Sequence, residues 1–430
     1  MGSQGLEIVE WKSKWRILVG WLLLCGILLS LGFPRSTSNL LTDTDTAAII
    51  QGIQKNPNPL HWFQGDWPLG NHFYRPMSTL PFQFDVAVWG TKGFGWALTN
   101  FLLVWGGIVA FAWFLLELRV QRVVWAGSTL LFTLWNLDYG SYAQMLGGAG
   151  FLLAAIWLFK QRSASLRLLI LPALLAIFLV FELGGASILH ARMLGWVPGR
   201  TASTMTIFAF LSLAGFARAL RVGGWVARAW WLGGLLLALG AYEQAVMVPA
   251  LMTGLCFLSL LEGNQEKPKW LEWLGPWAVL FAYILLRRAI LPETPSAYQS
   301  QSLRSSGFSI IAMESYIFPG VLAWSNLVVA TSTSWILLFT QIAMRNVLLI
   351  ASSVANTVML VFSKGNWLPK FAYVAAAVAY LPMAWLHTFD HYHFFPMAFK
   401  ALFVVSAAAS LLTWMYEKTK SAPTEAACGR

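Results

Sequence analysis

The chain of 430 residues is 58% hydrophobic and only 11% charged, and its formal net charge is +11. Because a soluble domain carries about 25% charged residues, this composition excludes a soluble globular protein. The basic residues lie beside hydrophobic runs, as in proteins whose membrane orientation is set by charge, so the net charge does not indicate nucleic-acid binding. Cys25, Cys256 and Cys428 lack the spacing of a disulfide framework or a zinc site.

Hydrophobic runs of about 17–20 residues recur along the chain, and a helix of that length crosses a bilayer. The sequence therefore predicts an all-α, polytopic transmembrane protein of about 12 spans, within a range of 11–14, in a single domain over residues 1–416. Residues 309–363 leave two alternatives open, one long span with an interfacial helix or three tight spans. The predicted spans are 16–33, 94–116, 123–138, 143–159, 168–184, 201–217, 230–242, 245–261, 274–291, 333–363, 371–386 and 395–416.

The distribution of charged residues predicts that both termini are cytoplasmic. With the N-terminus inside, most Lys and Arg residues fall on inner segments, as the positive-inside rule requires. All six histidines then fall on outer segments, so any active site faces outward. Residues 17–33 lack a small-residue cleavage site and form a retained first span. We expect a multi-pass protein of a bacterial cytoplasmic membrane, with a short, polar and disordered cytoplasmic tail at 417–430.

The first outer loop, residues 34–92, is the longest polar segment of the chain. It carries an acidic pair, Asp43 and Asp45, shortly after the first span. The simple interpretation is that Asp45 caps a helix beginning near Ala47. The functional interpretation is that the pair supplies a general base or binds a divalent cation. The two interpretations are compatible, because a carboxylate fixed at a helix start is well positioned for chemistry.

The same loop returns to the membrane through His72, Phe73, Tyr74, Arg75 and Pro76. The planar fork of donors on Arg75 matches the geometry of a phosphate group. The alternative is an ordinary solvated arginine. Because aromatic and histidine neighbours place Arg75 beside the membrane surface, the sequence favours recognition of a lipid-borne phosphate, with His72 and Tyr74 as further candidates.

A second group of titratable residues precedes the last span. His387, Asp390, His391 and His393 lie within seven residues, but their spacing is not that of a metal-binding helix. We therefore predict no metal site there and favour contact with an anionic substrate. The alternative is a set of histidines that lie at the membrane interface without a ligand.

Glu243 lies in a tight outer turn between two predicted spans. An ionisable residue at the end of a span is a candidate functional residue. The alternative is a structural contact with Arg192 or Arg200.

Taken in order, these segments resemble the GT-C superfamily of membrane glycosyltransferases, in particular the branch that includes TMTC-type and bacterial O-mannosyltransferase-like proteins. The chain departs from that pattern at Thr44, which separates the two acids, and at His391 and Phe394, which stand where the family has arginine and tyrosine. No TPR array follows the last span. The matching segments are Tyr74-Arg75-Pro76-Met77, Leu80-Pro81-Phe82-Gln83-Phe84-Asp85, Leu98-Thr99-Asn100, Tyr242-Glu243-Gln244-Ala245-Val246-Met247-Val248-Pro249 and Asp390-His391-Tyr392-His393-Phe394-Phe395-Pro396.

The resemblance implies a GT-C-like fold that transfers a sugar, with inversion, from a polyprenyl-phosphate donor to an acceptor hydroxyl on a protein, lipid or glycan. Asp45, helped by Asp43, would be the base. The donor phosphate would be held by Arg75, His72, His391 and His393. The scheme requires no metal or other cofactor, although the acids could bind a divalent cation. The alternatives are a non-catalytic relative or accessory subunit and a polytopic transporter.

Overall fold

The computed structural model describes residues 15–137, 193–262, 268–303, 305, 307, 360–361, 363, 365–387 and 389–421. These residues form helices joined by turns, and the isolated bridge between Leu303 and Leu386 is the one β-type pairing among them. In chain order the α-helices are α1 (Trp15–Ser30), α2 (Thr44–Lys55), α3 (Pro76–Val88), α4 (Gly93–Glu117), α5 (Arg122–Trp135), α6 (Arg200–Val222), α7 (Trp225–Leu239), α8 (Val248–Leu261), α9 (Trp270–Ile290), α10 (Ala297–Ser302), α11 (Leu368–Tyr380) and α12 (Phe394–Ser421). Short 3₁₀ turns occupy Pro59–Phe63, Val197–Gly199, Glu243–Met247, Leu381–Trp385 and Asp390–His393.

The described helices are those of a membrane protein. Five of them, counted with the 3₁₀ turns that adjoin them, are long and apolar enough to cross a bilayer, and α1 and α7 are apolar but shorter. Helix α9 turns Phe281 and Leu285 outward, 63% and 51% exposed, which suits a surface covered by lipid. The five segments are 93–117, 197–222, 243–261, 270–290 and 390–414.

The predicted spans 94–116, 201–217, 245–261, 274–291 and 395–416 match these five segments, whereas 16–33, 123–138, 230–242 and 371–386 overlap shorter helices, so the number of spans stays a prediction. The predicted spans 143–159 and 168–184, and nearly all of 333–363, lie outside the described residues, as do the alternatives for 309–363. The last helix continues to Ser421, so the predicted tail begins as helix rather than as disordered chain.

The connecting segments gather at two ends of the helix bundle. At one end, here called the loop end, the first loop contacts residues 240–243 between α7 and α8. The backbone N–H of Met77 donates to the Gly240 carbonyl at 3.0 Å, and the Ser78 hydroxyl donates to the Ala241 carbonyl at 2.6 Å. The segment after α9 also packs here, since the Ser296 hydroxyl donates to the Asn71 carbonyl at 2.9 Å.

The opposite end of the bundle is joined by ion pairs. Glu117 at the end of α4 pairs with Arg218 and Arg221 near the end of α6. Arg228 at the start of α7 pairs with Glu272 in the first turn of α9. Among the described residues, the segments that contact one another at the loop end are therefore ones predicted to be outside, and the ion-paired helix ends at the other end are ones predicted to be inside. Which end faces the cytoplasm stays a prediction.

The first loop is itself folded rather than extended. It contains α2, the turn at Pro59–Phe63 and α3. Between them, the Asp66 carboxylate accepts the backbone N–H groups of Trp67, His72 and Phe73 at 2.8, 2.6 and 2.9 Å. His72 lies in the left-handed region at φ 63°, so these contacts hold a conformation that a histidine seldom adopts. The turn directly precedes Arg75 and fixes its approach to the bundle.

Candidate functional site

The acidic pair lies at the start of α2, but the capping residue is Asp43 and not Asp45. The Asp43 carboxylate accepts the backbone N–H and the hydroxyl of Thr46, both at 3.2 Å. The prediction that Asp45 caps the helix is therefore wrong. The helix begins at Thr44, so the residue one position earlier has the extended backbone that lets its side chain reach back to the third helical N–H.

Asp45 lies in the first turn of α2 and is half-buried. Its carboxylate forms no hydrogen bond or ion pair with the part of the chain that the structure describes. Burial raises the pKa of the Asp45 carboxyl, and the neighbouring negative charge of Asp43 raises it further. The two acids therefore have different roles, since Asp43 stabilises the helix start and Asp45 remains available to accept a proton.

Arg75 pairs with Glu243 across the loop end. Its Nε lies 3.1 Å from Oε1 and 2.9 Å from Oε2 of Glu243, and its Nη2 lies 2.5 Å from Oε2. Among the described residues, the partner of Glu243 is therefore Arg75 and not Arg200, which pairs with Asp85, whereas the predicted alternative Arg192 lies outside the described residues. The structure also corrects the picture of Arg75 as a solvated arginine, because its side chain is only 10% exposed.

Three aromatic rings surround the Arg75 guanidinium. Its central carbon lies 4.7 Å from the Trp67 ring, 4.0 Å from Phe73 and 4.7 Å from Tyr242. We call these three rings the Arg75 cage. They stabilise the cation through their π faces but offer it no hydrogen-bond acceptor. Among the described residues, Nη1 of Arg75 has no hydrogen-bond partner, so part of its donor fork is unused.

Two of the three histidines of the late segment, His391 and His393, are buried against aromatic rings. Nε2 of His391 lies 3.1 Å from the Tyr242 hydroxyl, and the His391 ring packs 4.9 Å from the ring of Trp196. His393 stacks on Tyr380 with a ring separation of 4.8 Å and an angle of 8°. His391 therefore reaches the Arg75 cage through Tyr242. His393 faces Tyr380 on α11 instead.

The other predicted site residues lie around this group. Nδ1 of His72 lies 3.0 Å from the Thr294 carbonyl, and the Tyr74 hydroxyl donates to the Phe63 carbonyl at 3.1 Å. Asp390 opens the turn before α12, and His387 is exposed. These four residues stay predictions as ligand-binding groups.

The structure thus brings Arg75, Glu243 and His391 together and places the acidic pair on a neighbouring helix. Helix α2 contacts the turn at Val197–Gly199, and the residue before that turn, Trp196, packs on His391. Within the described ranges, no hydrogen bond or ion pair joins Asp43 or Asp45 to Arg75.

A second arginine, Arg200, was not singled out as a site residue by the sequence. Its Nη2 lies 2.6 Å from Oδ2 of Asp85, and its Nε donates to Oδ1 of Asn100 at 2.5 Å. The carbonyl of Trp96 accepts a further hydrogen bond at 2.7 Å, and the Thr99 hydroxyl donates to Asp85 at 2.6 Å. This cluster joins α3, α4 and α6. The signal in the sequence was an arginine directly after Pro-Gly at the start of an apolar run.

Metal binding finds no support in the described parts of the chain, where no three His, Cys, Asp or Glu side chains come close enough to hold an ion. No protein-family model, curated protein or solved structure matches the chain. The resemblance to membrane glycosyltransferases therefore stays a prediction.

Proposed function

We propose that the protein is a membrane glycosyltransferase that moves a sugar from a polyprenyl-phosphate donor to an acceptor hydroxyl at the loop end of the bundle. The observation that carries this proposal is the half-buried carboxylate of Asp45, which has a raised pKa and no partner among the described residues. A carboxylate in this state is suited to accept a proton. The gathering of Arg75, His72, His391 and His393 at the same end supports the proposal.

In the proposed reaction the acceptor oxygen attacks the anomeric carbon of the sugar from the face opposite the phosphate. The bond from that carbon to the acceptor oxygen forms while the bond to the phosphate oxygen breaks. The hydroxyl proton passes to the Asp45 carboxylate. The lipid phosphate leaves as an anion, and Arg75 stabilises the charge that develops on it. The donor carries its own phosphate, so the step requires no nucleotide.

The second candidate is a non-catalytic relative that only binds a lipid phosphate. The observation in its favour is that no hydrogen bond or ion pair joins Asp45 to Arg75 among the described residues, so a general base and the phosphate site are not directly linked. The two candidates differ in what they require of Asp45, because a binding protein needs no general base.

The test of catalysis compares Asp45→Asn with Asp43→Asn in proteoliposomes. The donor is a polyprenyl phosphate that carries radiolabelled mannose, and the acceptors are serine- and threonine-containing peptides, phospholipids and native membrane glycans. Asp45→Asn should lower transfer by about 10²-fold or more, as loss of a general base does. Asp43→Asn should lose much less, because Asn caps a helix about as well as Asp.

Thermal unfolding provides the control for folding. Because burial disfavours the ionised form of Asp45, the Asn variant should be at least as stable as the unaltered protein at neutral pH. Normal transfer by a folded Asp45→Asn protein would favour the binding protein over the enzyme.

The pH dependence of transfer provides a second test. Transfer should fall as the pH drops through the raised pKa of Asp45, because only the ionised carboxylate accepts a proton. Removal of the neighbouring negative charge in Asp43→Asn should move this acid limb to lower pH. An acid limb that stays in place in Asp43→Asn would assign the limb to another group.

A further inference from the structure

The Arg75 cage holds a cation with a single carboxylate partner among the described residues. The Arg75 side chain is nine-tenths buried, yet its one hydrogen-bonding partner among the described residues is Glu243. Nη1 forms no hydrogen bond there. A guanidinium has five N–H donors, and a phosphate group presents more acceptor oxygens than a carboxylate. Arg75 therefore keeps a hydrogen-bond donor, Nη1, to which a phosphate oxygen would bind.

Glu243 differs from its partner in being partly open to solvent. Its side chain is 26% exposed, against 10% for Arg75. It is also the first residue of the 3₁₀ turn at Glu243–Met247 and lies in the short link between α7 and α8. Rotation of its side chain toward solvent would free both Nε and Nη2 without moving a helix. Arg75, in contrast, is held in place by the three rings.

We propose that the Glu243 carboxylate occupies the place of a phosphate on Arg75 in the ligand-free protein, and that the phosphate group of a membrane lipid displaces it. The ligand class rests on the proposed function, but binding to Arg75 does not require that sugar transfer occurs. Glu243 then acts as an internal competitor that lowers the affinity for weak anions. A phosphate that is anchored in the membrane beside the site competes more effectively, because the lipid chain raises its local concentration.

The competition can be measured with Glu243→Gln in nanodiscs, using a fluorescent polyprenyl phosphate that carries no sugar. If the paired form of Arg75 exceeds the open form by about tenfold, removal of the competitor should tighten the apparent affinity by about tenfold. A purely structural role for the ion pair predicts the opposite, since its loss would loosen the loop end and weaken binding. Unchanged or weaker binding by Glu243→Gln overturns the proposal.

Glu272→Gln is the matched control, because it breaks the ion pair with Arg228 at the opposite end of the bundle. It should leave the affinity for polyprenyl phosphate unchanged. An equal gain in both variants would show a general charge effect and overturn the proposal. Glu243→Asp covers the case in which Glu243→Gln does not fold. The shorter carboxylate reaches Arg75 less well, so this variant should bind more tightly than the unaltered protein, and no gain overturns the proposal.

Competing ligands identify the source of the phosphate. The labelled polyprenyl phosphate is competed in separate experiments with unlabelled polyprenyl phosphate, phosphatidylglycerol in the nanodisc and inorganic phosphate in solution. The unlabelled polyprenyl phosphate or phosphatidylglycerol should compete at far lower concentration than inorganic phosphate. Equal competition by inorganic phosphate overturns the assignment to a lipid. If the unaltered protein transfers no sugar but binds polyprenyl phosphate less tightly than Glu243→Gln does, the result rejects the proposed enzyme and supports this binding site.

Discussion

Two arginines at the loop end, Arg200 and Arg75, pair with carboxylates in surroundings that differ in one respect. Arg200 and its partner Asp85 are 1% and 0% exposed, and carbonyl and amide oxygens accept the other hydrogen bonds of the guanidinium. Arg75 is also buried, but aromatic rings surround it, and its carboxylate partner Glu243 remains 26% exposed. One pair is complete within the protein and the other is open on one side.

The difference separates an ion pair closed to solvent from one that leaves an opening for the proposed ligand. Burial of a charge is costly, and good geometry with full hydrogen bonding is needed to offset the cost. Arg200 donates to protein oxygens from all three of its nitrogens, and it joins α3, α4 and α6 at a point closed to solvent. Arg75 has Glu243 as its hydrogen-bonding partner among the described residues, and that partner is partly exposed. Both arginines were visible in the sequence, but only their surroundings distinguish the two roles.

The largest expected effect is that of Arg200→Met. The substitution leaves the Asp85 carboxylate buried without its cation, which should destabilise the fold by about 3–5 kcal/mol. Thermal unfolding in detergent, followed by size-exclusion chromatography, measures the loss. The double variant Arg200→Met with Asp85→Leu should recover part of it, because no uncompensated charge remains. A folded single variant of normal stability would show that the pair is less tightly buried than the structure has it.

The substitution Asp66→Ala should have the next largest effect. It removes the acceptor of three backbone N–H groups in the turn that carries Trp67 and Phe73, at a cost of about 1–3 kcal/mol. Because those rings belong to the Arg75 cage, binding of polyprenyl phosphate should weaken although Arg75 is intact. Asp66→Asn should be milder, because one amide oxygen can still accept. Normal lipid binding by Asp66→Ala would separate the cage from ligand recognition.

The substitution Arg75→Met tests directly whether the Arg75–Glu243 pair differs in role from the Arg200–Asp85 pair. It should destabilise the fold by about 1–2 kcal/mol, less than Arg200→Met, because the partly exposed Glu243 carboxylate can turn to water. Binding of polyprenyl phosphate should nevertheless be lost, since Arg75 is the cation on which the proposed phosphate site depends. Arg75→Lys should recover only part of the binding, because an ammonium cannot make a two-pronged contact. If Arg75→Met destabilises as strongly as Arg200→Met while lipid binding persists, the two pairs have the same structural role.

The smallest effect is expected at the opposite end of the bundle. The Arg218 side chain is 49% exposed where it pairs with Glu117, and Arg221 binds the same carboxylate. Because solvent screens such pairs, Arg218→Gln should change stability by about 0.5 kcal/mol or less. Thermal unfolding at low and high salt tests this, and lipid binding should be unaffected. A loss of stability as large as that of Arg75→Met would show that the exposure of these ion pairs does not determine how much they stabilise the fold.

Much of the helical framework could be predicted because the signal is local. The length and apolar character of each run indicate a span without knowledge of its neighbours. Hence the predicted spans near α4, α6, α8, α9 and α12 coincide with long apolar helices. The division of the connecting segments between two ends of the bundle followed from the positions of the apolar runs, since successive links between spans must lie on opposite sides of the membrane.

The site was only partly predictable, because its geometry depends on distant residues. Residue type and position in the first loop indicated Asp45 and Arg75, and position at the end of a predicted span indicated Glu243, each as a separate candidate. Nothing in the sequence joined Arg75 to Glu243, which lie 168 positions apart. The capping role was assigned to the wrong acid because it depends on where the backbone leaves the extended conformation, and a shift of two residues separates Asp45 from Asp43.

The sequence by itself determined the class of the protein, the position of many helices and the end at which polar chemistry collects. These follow from the cost of placing polar groups in lipid, which each segment meets on its own. The tertiary structure decided which arginine is structural and which retains an unused donor. Burial and hydrogen bonding depend on what α3, α4, α6 and the turn at Glu243–Met247 bring around each charge. No local pattern encodes that arrangement, because the contacting residues lie on separate helices.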